Sequence, residues 1–244
     1  MMIKKLLISF CVLPLLIKAQ NTIDEFTFGL QFKPIIPAAY FNSGNESTDW
    51  QDGYTSEFSS RFGQSLGMVI RYNFSNTFCL ESGLNLVNRR YNFTLNNSTI
   101  NLDDNSTFTL RSYELPIQLL SYVRIAEQYY LNASFGNSLN VFPSDIISFG
   151  DNNPFYFVST SRRKKMQTAF VANLGVEYRT AKQGMFYFGA SFHRPWKNTA
   201  RSFPEYYDGT NAFNTEAPSA NNSKYLDISG NYFTLDIRYF FSRK

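Results

Sequence analysis

Apolar and polar side chains alternate along most of this chain with a period of two, the spacing of a strand whose successive side chains point to opposite faces. The pattern is clearest over residues 231–241. There Phe233, Leu235, Ile237, Tyr239 and Phe241 share one face, and Tyr232, Thr234, Asp236, Arg238 and Phe240 share the other. Seven further stretches carry the same period and predict strands at 25–33, 61–74, 77–93, 107–124, 128–142, 167–179 and 185–193. Pro34 and Pro37 are expected to end regular pairing after the first stretch, and Pro116 to make the fourth irregular, because proline has no N–H to donate to a ladder.

The connections supply a second regularity. Those around Ser75, Ala126 and Lys182 are short, while those after the first, third, fifth and seventh stretches are long and rich in Asn, Ser, Asp and Gly. Alternating short and long connections, with an even strand count, is the pattern of an up-and-down barrel that crosses an outer membrane. On that reading the short turns and both termini are periplasmic, and the long loops are external and solvated.

Composition sharpens the picture. Aromatic residues make up 18% of the chain against 17% for all charged residues, yet mean hydropathy is slightly negative, at −0.28. Bulky apolar side chains are thus diluted by Asn, Ser and Thr. Outside the first twenty residues there is no apolar run of helix-spanning length. Residues 1–19 have the parts of a secretory signal: Lys4 and Lys5, the apolar stretch Leu6 to Ile17, and Ala19 before Gln20. Cleavage after Ala19 leaves residues 20–244 as one outer-membrane domain. Only Cys79 then remains of two cysteines, so neither a disulfide framework nor a thiolate metal cage is available. A formal charge of +4, dispersed along the chain, does not indicate a nucleic-acid partner.

Two features decide which face meets lipid. The polar face carries isolated charges of both signs: Lys33, Arg71, Arg89, Arg179 and Arg238, against Glu81, Glu114, Glu177 and Asp236. Such groups are able to pair inside a narrow lumen, where an unpaired charge is expensive. Phe26, Tyr72, Phe78, Tyr129, Tyr178, Phe186 and Tyr239 all fall on the apolar face beside a short turn or a terminus, the placement that a bilayer interface selects. The expected fold is an all-β, eight-stranded antiparallel transmembrane barrel. The competing arrangement is a soluble barrel or sandwich with the apolar stripes inside.

The leader ending in Lys18-Ala19-Gln20, the strand pattern and the segment Tyr113-Glu114-Leu115-Pro116 together resemble the PorT-like, porin-family small outer-membrane β-barrels of diderm bacteria. The resemblance covers the whole mature chain and implies fold and location, with the outer membrane as the site. The founding member of that family takes part in secretion. The terminal strand departs from the family's usual ending, because Ser242, Arg243 and Lys244 follow Phe241.

Chemistry is sparse. His193 is the only histidine, and Ser191 shares its face, so a hydroxyl and imidazole with Glu177 or Asp236 as orienting group is the one nucleophilic arrangement the chain offers. A structural lumen histidine is the simpler reading, and no catalytic residue is assigned. Carboxylates in the loops lack metal-site spacing, and no cofactor is expected. Arg162, Arg163, Lys164 and Lys165 form a dense basic run at the membrane end of an external loop, where lipid phosphates are within reach, although an ordinary charged loop base has the same composition. Eight strands leave little room for water, so the lumen is expected to be filled by side chains, with function residing in external loops or in envelope and secretion-machinery partners. The alternatives are a narrow channel for small solutes and a lipid-modifying enzyme.

Overall fold

The computed structural model describes residues 25–37, 46–49, 53–99, 101–180, 182–206 and 225–242. The leader expected over residues 1–19 lies outside them. In chain order the strands are β1 (Glu25–Ile36), β2 (Glu46–Asp49), β3 (Thr55–Asn73), β4 (Phe78–Asn97), β5 (Leu102–Arg124), β6 (Tyr129–Val141), β7 (Ile146–Phe149), β8 (Tyr156–Arg162), β9 (Met166–Arg179), β10 (Met185–Pro195), β11 (Ala200–Tyr206), β12 (Leu226–Ile228) and β13 (Tyr232–Phe240).

Eight of these close a ring in the order β1, β13, β10, β9, β6, β5, β4, β3, with β3 returning to β1, and every pairing is antiparallel. Closure satisfies the backbone of each strand against two neighbours, which is what a sheet in hydrocarbon requires. The stripes point outward: Phe28 is 56% exposed, Leu174 57% and Phe188 59%, while Arg71, Glu177 and Asn85 on the other face are 0% exposed. Lipid-facing apolar side chains around a polar lumen exclude the soluble arrangement. Each predicted strand lies within or overlaps one ring strand, and the three short turns fall where expected. At the first, Ser75 Oγ accepts the N–H groups of Thr77 and Phe78 at 3.1 and 2.8 Å. At the third, Gly184 adopts φ +91°, open to glycine at little steric cost, and its carbonyl accepts the Thr180 N–H at 3.0 Å.

Pro34 does not end pairing as expected, whereas Pro37 follows the end of β1 and Pro116 brings the expected local irregularity. β1 continues through Pro34 to Ile36, with Pro34 opposite Gln64 of β3, and only the ladder to β13 lapses at residues 33 and 34. Around Pro116 the β4–β5 ladder lapses without any change of register, and Ser82 Oγ donates to the Pro116 carbonyl at 2.8 Å. The register shift lies elsewhere, between Arg61 and Gln64 of β3.

The larger correction concerns the long loops, which are not simply solvated. β3, β4 and β5 run well beyond the apolar band, β2 pairs with the outer end of β3, and β12, β11, β8 and β7 form a second, four-stranded sheet. Where β4 leaves the membrane its polarity inverts without a break in alternation. Leu80, Leu84 and Leu86 face outward lower down, whereas Tyr91, Phe93 and Leu95 are buried on the opposite face higher up. β5 does the same, with Leu115, Ile117 and Leu119 outward and Phe108 and Leu110 inward. A strand in lipid must be greasy outside, and the same strand in water must be greasy inside. These inner residues pack with Phe58, Phe142, Tyr156, Val158, Ala200, Leu226 and Ile228 into a core that caps the long-loop end of the barrel.

Candidate functional site

Inside the barrel, charges contributed by separate strands form a continuous ladder. Lys33 of β1 lies 3.5 Å from Asp236 of β13, which accepts Arg238 Nη2 at 2.6 Å. Arg238 Nη1 donates to Glu81 of β4 at 2.6 Å, and Glu81 also accepts Arg71 Nε at 2.7 Å. Arg71 bonds onward to Glu177 of β9, which accepts Arg179 Nε at 2.7 Å. Aromatic faces complete the packing, with the Arg71 guanidinium 3.8 Å from the Phe240 ring centre and that of Arg179 3.9 Å from Tyr130. Alternation along each strand sends these residues inward, and ring closure brings opposite charges within bonding distance.

Above the ladder sits a second polar group. Glu114 accepts the Tyr232 hydroxyl at 2.7 Å and Asn85 Nδ2 at 3.3 Å, and its carboxylate lies 3.3 Å from His193 Nε2. Arg89 donates to Ser112 Oγ at 3.0 Å and to the Gly230 carbonyl at 3.1 Å. All nine charged residues singled out in the sequence therefore line the lumen, seven of them in the ladder. The cavity bordered by Lys33, Glu114, His193 and Tyr232 has a volume of about 10 Å³, room for about one water.

Ser191 and His193 do not form a nucleophile and base. Ser191 Oγ donates to Asp236 at 2.6 Å and accepts Asn173 Nδ2 at 2.8 Å, while His193 Nε2 is 3.2 Å from Ser138 Oγ. Asp236 and Glu177, the proposed orienting groups, are held by the ladder. Both Ser191 and His193 are buried, at 6% and 2% exposure. Among the described residues no cluster of three or more His, Cys, Asp or Glu is placed to hold a metal ion.

On the outer wall, the aromatics near the short turns meet in pairs along one level. Phe26 and Tyr72 have ring centres 5.0 Å apart, Tyr129 and Tyr178 5.0 Å, and Phe186 and Tyr239 5.1 Å; Phe78 is exposed at the same end. The basic run, in contrast, is split. Arg162 turns toward the cap, donating to the Phe142 carbonyl at 2.9 Å and lying 3.6 Å from Asp145. Arg163 Nη2 reaches both oxygens of Asp227 at 3.0 Å, and Lys164 and Lys165 are exposed.

Two carboxylates organise the cap. Asp104, buried at the outer end of β5, accepts the backbone N–H groups of Asn105, Asn152 and Asn153 at 2.8, 3.0 and 2.8 Å, tying the β7–β8 connection to the barrel. Asp227 of β12 is held below the usual aspartate range, chiefly by hydrogen bonds from Arg201. Burial in the cap core pushes the Tyr156 phenol above its ordinary value. In the sequence Asp104 is one of the loop carboxylates without metal-site spacing, and nothing there marks Asp227. The cap had a readable signal, however, in the inverted polarity of β4 and β5.

The family model described as "Outer membrane protein beta-barrel domain" matches residues 19–201. Among solved structures, the outer membrane protein OprG from Pseudomonas aeruginosa is similar, with 12% sequence identity, 92% of this chain and 99% of that chain covered, and a TM-score of 0.51. The outer membrane protease OmpT from Escherichia coli (9% identity, 91% and 97% covered, TM-score 0.31) and an outer membrane channel from Pseudomonas putida F1 (11% identity, 91% and 98% covered, TM-score 0.28) are more distant. No curated protein matches the chain.

Proposed function

The chain belongs to the outer membrane protein β-barrel domain family, and we propose that it works as a closed barrel that presents its external sheet to partners. The observation that carries this reading is the filled lumen, in which the ion ladder is followed outward by the Glu114 group and then by the aromatic core of the cap. An ion entering from either side would have to part buried charge pairs, each costly to separate. The external sheet meanwhile carries exposed apolar side chains on β7, with Ile147 at 64% and Phe149 at 61%. Exposed apolar groups of that kind suit contact with an envelope or secretion protein. The Tyr113-Glu114-Leu115-Pro116 segment supports a PorT-like place within the family, and the short turns with both chain ends on one side support periplasmic termini.

The test is electrical. Purified protein in planar bilayers is expected to leave membrane conductance at the lipid baseline, and reproducible single-channel steps from the wild-type chain would replace this reading with the narrow-channel alternative.

A further inference from the structure

A groove of about 710 Å³ opens on the outer wall where β6, β9 and β10 meet the external loops. Leu139, Met166 and Trp196 form its apolar side, and Arg163, Lys164 and Lys197 its charged side. Its depth in the membrane follows from register. Leu139 is ten residues along β6 from Tyr129, and Trp196, just past the end of β10, is ten residues beyond Phe186, the second residue of that strand. At about 3.3 Å per residue and a tilt of about 40°, ten residues climb about 25 Å, the height of the apolar band of such barrels. The apolar side of the groove thus lies at the outer edge of the hydrocarbon, and the cations lie at headgroup level.

Among the described residues the lining of the groove includes no carboxylate. Arg163 commits one nitrogen to Asp227 yet stays 41% exposed, and Asp227 is shared with Arg201. Lys164 and Lys197 have no ion-pair partner among the described residues. Trp196 is 63% exposed and held in place, its Nε1 donating to Asn137 Oδ1 at 3.2 Å and its ring edge-on to Phe170 at 6.4 Å. A fixed indole at a bilayer interface beside unpaired ammonium groups is complementary to a molecule with an acyl chain below and a phosphate above.

We propose that this groove binds an anionic outer-leaflet lipid, its phosphate on Lys164, Lys197 and the free edge of Arg163, and its acyl chain along Leu139, Met166 and Trp196. Lys197 lies two residues past the end of β10, so the site is assembled by the fold and is not the continuous basic run. The site is independent of whether the lumen conducts.

Trp196 supplies the probe once Trp50, the other tryptophan, is replaced in a W50F background. The protein is reconstituted in phosphatidylcholine bilayers containing a fixed fraction of either brominated phosphatidylglycerol or brominated phosphatidylcholine, and quenching of Trp196 is read. The anionic lipid is expected to associate about tenfold more strongly, because two unpaired cations at a membrane surface each contribute about fivefold before screening. K164Q/K197Q should bring the ratio near one and K164R/K197R should retain it, with a wild-type shift of gel mobility on boiling reporting an intact barrel in each variant. Equal quenching by the two lipids in the wild-type groove, or a preference that survives K164Q/K197Q, overturns the assignment. Loss of the preference on adding millimolar inorganic phosphate also overturns it, by identifying a site for a free anion.

Discussion

Glu81 is the residue on which the lumen ladder turns, and its removal gives the sharpest test of what holds the barrel's interior together. It accepts Arg71 Nε at 2.7 Å and Arg238 Nη1 at 2.6 Å with only 2% of its surface exposed. The ladder contains the cations Lys33, Arg71, Arg179 and Arg238 and the anions Glu81, Glu177 and Asp236. Glu81→Ala leaves four positive charges facing two negative ones, and deletes two charge-assisted hydrogen bonds worth about 1.5–3 kcal/mol each. Breaking a buried pair by removing one partner generally destabilises by about 3–5 kcal/mol. Because Arg71 keeps Glu177 and Arg238 keeps Asp236, the lower half of that range is expected. Urea unfolding of the reconstituted barrel, followed by tryptophan fluorescence and by gel mobility, measures the loss. The decisive form is a double-mutant cycle between E81Q and R238Q. If the two side chains act through each other, the double variant should recover about 1–3 kcal/mol relative to the sum of the singles. Additive effects within about 0.5 kcal/mol would refute a coupled ladder.

Three further outcomes follow from the same geometry. Gly175 and Gly189 lie beneath the Tyr187 ring, where a new Cβ would collide with its hydroxyl; Gly189→Ala should destabilise by about 1–3 kcal/mol, and Y187F, which removes the hydroxyl, should relieve part of that in the same urea assay. Phe93→Ala, in the cap where the ring stacks on Phe108 and tilts against Phe58, should cost about 3–5 kcal/mol of local stability. Limited proteolysis should then cut the external sheet while the membrane barrel keeps its heat-dependent mobility, and equal resistance of the two proteins would count against a separable cap. Asp227 has a folded pKa below its unfolded value, so its bond to Arg201 contributes stability that is fully present above that unfolded value, near 3.8, and is lost as pH falls through the folded one. Hydrogen exchange of the β11–β12 amides should accelerate over that acid range, and D227N should exchange faster than wild type at neutral pH and respond less to acid.

How much of this was legible in advance depends on the distance over which each feature is decided. Alternation in residues 231–241 assigns Asp236 and Arg238 to the lumen and Leu235 and Ile237 to lipid, because neighbouring side chains on a strand must oppose each other. The short connection of residues 74–77 likewise sets Arg71 opposite Glu81 through the β3–β4 register. Strand number, membrane face and the level of the interface aromatics all rest on such local rules. The bonds from Arg238 to Glu81 and from Arg71 to Glu177 join residues 157 and 106 positions apart, so they exist only once the ring closes. The cap belongs to both categories. Tyr91, Phe93 and Leu95 already sit on the wrong face for lipid, but the sheet that covers them is drawn from residues 146–228, and no local period reveals that meeting. The same holds for the pairing of Lys164 with Lys197 across one groove. Side-chain direction is a property of the nearest residues, whereas the identity of what each side chain touches is settled by how the whole chain returns upon itself.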